Sequence, residues 1–202
     1  ETATGLEYVY SYDGLARQTG ITDPRIGVIT TTYNSKGQVS SVTDAATNIT
    51  SFAYDNDTGR RVAITNALGK VARYEFDAEG QLVKQWGDTD YPVSYDYDDF
   101  NRMTSMSTYR GGTNWTSGTW PEGESGDATI WQYDEATGLL TNKLYADNNG
   151  VYYEYTTDGK MSKRIWARGD TTDYSYDSTA GQLTNINYSA ADTTDITFSY
   201  RA

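Results

Sequence analysis

The 202-residue chain contains no cysteine, no histidine and only three prolines, and it has no apolar run long enough to span a membrane as a helix. Without cysteine there is neither a disulfide framework nor a thiolate metal site. Without histidine the commonest general base and metal ligand is gone. Cations are scarce too: 16 Lys and Arg face 28 Asp and Glu, a net charge of -12. That balance excludes nucleic acid, heparin-like polymers and anionic membranes as partners, because no basic cluster offsets the repulsion. The first twenty residues lack the basic and apolar stretches of a secretion signal, and the sequence reads as a segment of a longer chain.

Aliphatic residues are thin as well. The hydrophobic fraction is 37% and mean hydropathy is -0.71, which argues against a thick leucine-rich core. Aromatic residues compensate. Nineteen residues are Tyr, whose ring suits a layer buried on one side and wet on the other.

These rings recur. Anchoring on one aromatic per phrase gives Tyr12, Tyr33, Tyr54, Phe76, Tyr97, Tyr133, Tyr155, Tyr176 and Tyr200, with steps of 21 or 22 residues apart from two longer ones. A second aromatic stands two residues earlier in eight of the nine units; Thr31 is the exception. Residues two apart share one face of a strand but lie on nearly opposite sides of a helix, so the arm is extended.

Four or five positions after each anchor comes a residue suited to positive φ: Gly37, Gly59, Gly80, Asn101, Gly138, Gly159 and Gly181. Ala16 takes that slot in the first unit, so its turn must differ or be strained. Apolar residues follow two positions on, as at Val39 and Leu82, and again three or four further, at Val42, Trp86, Met106, Leu144, Ile165 and Ile186. A second punctuation, such as "TDAATN" or "TNALGK", closes each unit. Each unit is therefore two strands and two turns. The expected fold is all-β: tandem hairpins in one continuous twisted, spiralling sheet, a single domain over 1–202 with about eight units and an insertion at 105–127.

The phrase Tyr-Asp-x-x-Gly-Arg/Gln-Leu resembles the YD repeat of the rearrangement hotspot (RHS) family, which includes insecticidal toxin complexes, bacterial polymorphic toxins and teneurins. Tyr54-Asp55 with Gly59-Arg60, Phe76-Asp77 with Gly80-Gln81-Leu82, Tyr133-Asp134 with Gly138-Leu139, and Tyr176-Asp177 with Gly181-Gln182-Leu183 carry the likeness. The resemblance implies a β-sheet spiral that forms the wall of a hollow shell, in an extracellular or bacterial cell-surface setting. Its self-cleaving aspartyl element is not carried over: "DPRIG" at Asp23 to Gly27 is one residue too long and lies in an ordinary turn. No enzyme activity and no cofactor are expected. About eight units are too few to enclose a large cavity, and both chain ends stand at the same phase of the repeat. Expected partners are therefore other YD repeats of the same or a longer chain, including a head-to-tail homopolymer.

One segment departs from the period. Between Tyr97 and Tyr133 the step grows to 36 residues, on "YRGGTNWTSGTWPEGESGD". Trp115, Trp120 and Trp131 with Glu122 form a candidate sugar-binding set, aromatic faces for the rings and a carboxylate for the hydroxyls. The competing expectation is that the tryptophans plug the sheet. The Asp-rich turns, such as "YDNDTG", lack the full spacing of a calcium loop and read as turn chemistry, with no metal site.

Overall fold

The computed structural model describes residues 5–88, 90–110 and 119–200. Every regular element is a strand: β1 (Val9–Tyr12), β2 (Gln18–Asp23), β3 (Gly27–Tyr33), β4 (Val39–Thr43), β5 (Ile49–Tyr54), β6 (Arg61–Thr65), β7 (Val71–Phe76), β8 (Leu82–Gly87), β9 (Val93–Tyr97), β10 (Met103–Thr108), β11 (Asp127–Tyr133), β12 (Leu140–Leu144), β13 (Gly150–Tyr155), β14 (Met161–Ile165), β15 (Thr171–Tyr176), β16 (Leu183–Tyr188) and β17 (Ile196–Thr197). All seventeen belong to one sheet, in which each strand pairs antiparallel with the next through β8 and again from β10 to β17. By its internal contacts the chain divides into two compact units, Glu1–Val93 with Tyr109–Glu124, and Ser94–Thr108 with Ser125–Ala202.

The anchors from Tyr12 to Tyr176 end the first strand of their hairpins, and seven of these hairpins are bulged there. Tyr33 pairs with Val39 while Thr32 pairs with Ser41, so Ser40 is an extra residue on the second strand. The same step occurs at Tyr12, Tyr54, Phe76, Tyr133, Tyr155 and Tyr176. An extra residue restores the side-chain direction three positions along instead of two. Hence Leu82 shares its face with Gln85, not with Trp86.

This corrects the apolar pattern expected of the second strands. Ile21, Val42, Ile64 and Ile186 pair with Tyr10, Thr31, Phe52 and Tyr174 on the ring-bearing face. In β8, β12 and β14 that slot holds Gln85, Lys143 and Arg164, paired with Tyr74, Trp131 and Tyr153. Trp86, Leu144 and Ile165 lie on the opposite face.

Burial is shallow. Among the described residues the buried hydrophobic side chains are Ala63, Val93 and Val151, with Pro92 fully enclosed. The anchors from Tyr33 to Tyr176 are half-buried, and Tyr12 is 60% exposed. The rings thus line one face, buried on one side and wet on the other. The opposite face is mixed: besides Trp86, Leu144 and Ile165 it carries polar pairs across strands, Lys84 with Glu75 at 3.2 Å and Lys163 with Asp173 at 3.4 Å, and a row of hydroxyls from Thr32, Ser41, Ser51 and Thr65.

Candidate functional site

For a repeat protein the working site is the joint between one unit and the next. Three devices make it. First, each anchor Tyr reaches back across its neighbour: the hydroxyls of Tyr33, Tyr54, Tyr155 and Tyr176 donate to the carbonyls of Gln18, Val39, Leu140 and Met161, each fifteen residues earlier, at 2.8–2.9 Å. Tyr133 does the same across the longer step, to Met103 at 2.9 Å, and Tyr200 to Leu183 at 2.8 Å. Phe76 holds the same slot without a hydroxyl to donate, and Tyr97 is half-buried in its own.

Second, the residue after the anchor caps the turn. Asp13 Oδ1 accepts from the N–H groups of Leu15 and Arg17, and Asn34, Asp77 and Asp98 act alike. In the longer loops Asp55 and Asp134 also accept the hydroxyls of Thr58 and Thr137. The chain then reverses at positive φ, on Gly37, Gly59, Gly80, Gly138, Gly159 and Gly181 and on Asn101. Ala16, at φ 59, takes the same conformation with a side chain, so the first turn is strained and not different in kind.

Third, the residue after that reversal reaches forward to the next unit. Gln38 donates to the Gly59 carbonyl at 2.7 Å, Arg60 to Asp77 at 3.1 Å and Arg102 to Gly138 at 3.2 Å. The guanidinium groups of Arg17 and Arg102 lie 4.4 Å above the rings of Tyr33 and Tyr133, each steadied by its own capping Asp at 2.7 Å. Gly80 serves twice, since a Cβ there would stand 2.3 Å from Arg60. The Gly-Arg/Gln pair was legible as a recurring dipeptide, but its bridging role was missed.

The anchors from Tyr12 to Tyr176 thus close strands, and the turn glycines lie at positive φ. Of the candidate sugar-binding set, Trp115 lies outside the described residues. Trp120 belongs to the first unit, half-buried edge-on against Trp86 at 5.6 Å and Tyr109 at 5.1 Å, with the Lys84 ammonium 5.2 Å above its ring. Glu122 is exposed, beside the buried Pro121. Trp131 belongs to the second unit, on β11.

The electrostatics follow the caps. Bonds from the side chain and backbone of Arg17 hold the Asp13 carboxyl below its ordinary 3.8, and those of Asn48 and Thr137 do so for Asp44 and Asp134. Burial pushes the Tyr155 hydroxyl up, which keeps it a donor. Among the described residues no three His, Cys, Asp or Glu side chains converge as metal ligands.

Comparison with known proteins agrees with this architecture. Residues 33–71, 56–85 and 76–113 match the RHS repeat model. No curated protein matches the sequence. Solved structures do: TcdB2-TccC3 without its hypervariable C-terminal region, with a TM-score of 0.57, and the Photorhabdus luminescens Tc holotoxin pore with a substituted TccC3, with a TM-score of 0.55. Each is 16% identical and is matched over 98% of this chain, which spans 12% of the length of those it matches. Identity at that level speaks for the fold alone. Residues 33–113, with their repeating Tyr-Asp hairpins, thus carry RHS repeats, and the whole chain shares the fold of these solved structures.

Proposed function

We propose that this chain is a non-catalytic wall segment of an RHS-type shell, deployed outside the cell or at a bacterial surface, whose partners are further repeats of the same kind. The observation that carries the reading is the direction of the contacts. Tyr hydroxyls reach back to the unit before, and Gln38, Arg60 and Arg102 reach forward to the unit after. A sheet with so few buried side chains gains stability unit by unit, through neighbour interfaces and not through a central core. End-to-end addition of copies uses the same joint.

Negative-stain electron microscopy over a dilution series tests the proposal. Thin curved particles that lengthen in regular increments with concentration are expected. Compact globules of one size at every concentration would overturn it.

A further inference from the structure

Lys143 and Arg164 break the repeat in a consistent way. They fill the ring-face slot that the other second strands give to Ile21, Val42, Ile64, Gln85 or Ile186. A cation there adds less apolar packing than the residue it replaces, and departures from a local rule mark function more often than packing. Each cation stands between aromatic rings: Lys143 is 5.4 Å from the Trp131 centroid and 5.5 Å from that of Tyr145, and Arg164 is 5.7 Å from Tyr153 and 3.6 Å from Trp166. In a chain so rich in carboxylates, neither forms an ion pair among the described residues. The Arg164 Nε is buried without a partner, so the guanidinium is held by stacking and not by hydrogen bonds. The Trp166 ring is itself fixed by its indole N–H, which donates to the buried Thr172 hydroxyl at 3.1 Å.

We propose that this face of the second unit binds an acidic oligosaccharide, its carboxylates on Lys143 and Arg164 and its sugar rings against Trp131, Tyr145 and Trp166. The charges set the class of ligand. A guanidinium stacked on a ring keeps its forked edge for a carboxylate. The two cations sit two strands apart, roughly 10 Å, which suits single charges spaced along a chain. A densely charged polyanion is repelled by the net -12 of the whole protein. An extended peptide finds no main-chain partners here, because β12, β13 and β14 are hydrogen-bonded on both sides. Ring faces and isolated cations remain, and sugars with carboxylates use both.

The test is calorimetric titration of the full chain with tetragalacturonate, using the neutral galactose tetramer and tetraglutamate as comparators. Saturable binding of tetragalacturonate is expected, with a dissociation constant of about 0.1–1 mM. Binding should weaken as salt is raised, and the neutral sugar should bind at least about tenfold more weakly. Lys143→Met and Arg164→Met, which restore the apolar slot, should each reduce affinity about tenfold while leaving the thermal transition in place. Should Arg164→Met lower that transition, Arg164→Lys serves instead: it keeps the charge, loses the fork and should bind several-fold more weakly than the native chain. No saturable binding, binding unchanged in the Lys143 and Arg164 variants, or equal binding of tetraglutamate overturns the proposal, the last in favour of an acidic peptide.

Discussion

The Tyr hydroxyl joint predicts opposite signs for the same chemical change at two places. Tyr155→Phe removes the 2.9 Å bond to the Leu140 carbonyl and changes little else, since the ring stays. A net hydrogen bond contributes about 0.5–1.5 kcal/mol, and the half-buried setting lets water take over part of the lost role, so a loss near 1 kcal/mol is expected. Phe76→Tyr does the reverse. The carbonyl fifteen residues before it belongs to Arg61, which pairs with Tyr54 as Val39 pairs with Tyr33, and Val39 accepts the Tyr54 hydroxyl. A hydroxyl at position 76 should find that carbonyl and add about 0.5–1 kcal/mol. With a urea slope of about 2 kcal/mol per M, the midpoint should fall by about 0.5 M for Tyr155→Phe and rise by about 0.3–0.5 M for Phe76→Tyr. Urea melts followed by circular dichroism read both. A lowered midpoint for Phe76→Tyr, or no shift for Tyr155→Phe, would refute the idea that these hydroxyls join the units.

Two of the side chains held at positive φ give a second check: Ala16→Gly and Thr47→Gly, at φ 59 and 67, should each raise stability by about 0.5–1 kcal/mol in the same melts, the relief of strain exceeding the entropy cost of glycine. Gly150 is constrained by space and not by φ; a Cβ would lie 2.3 Å from the Lys143 carbonyl and 2.9 Å from the Leu144 Cα, so Gly150→Ala should lower the midpoint by the equivalent of about 2–3 kcal/mol. Acid should act through the capping carboxylates. Asp13, Asp44, Asp55, Asp134, Asp147 and Asp177 all titrate below 3.8 when folded, so their contribution is present above pH 3.8 and disappears as pH falls through the folded values. Thermal melts should be flat in this respect from pH 7 to about 5 and drop steeply below about 4; a drop centred near pH 6 would point to other groups.

The period, the extended arms and the turn positions were legible because each rests on a strong local rule: alternation for a strand, and positive φ for Gly or Asn. Even the strain at Ala16 could be read. The bulge could not. Its extra residue is an ordinary Ser, Thr or Val, such as Ser40, Thr141 or Val62, and nothing in those residues announces that the face is about to shift. That shift puts Gln85, Lys143 and Arg164, and not Trp86, Leu144 and Ile165, on the ring-bearing face. The joint was half visible. The dipeptide after the turn recurs, but a bond to a carbonyl fifteen residues earlier depends on main-chain geometry, which no side-chain pattern records.

The reach of the joint also bears on how such a gene can change. Because the hydroxyl bonds of Tyr33, Tyr54, Tyr155 and Tyr176 count back fifteen residues and the Gln38 bridge counts forward 21, units of regular length address their neighbours by offset and not by identity. Losing or duplicating one whole period leaves every offset intact and lets the cut ends rejoin as if nothing had happened. Losing one residue fewer misaligns every partner at the junction. Length is thus free to drift in whole periods, while the phase of the repeat is what selection must guard.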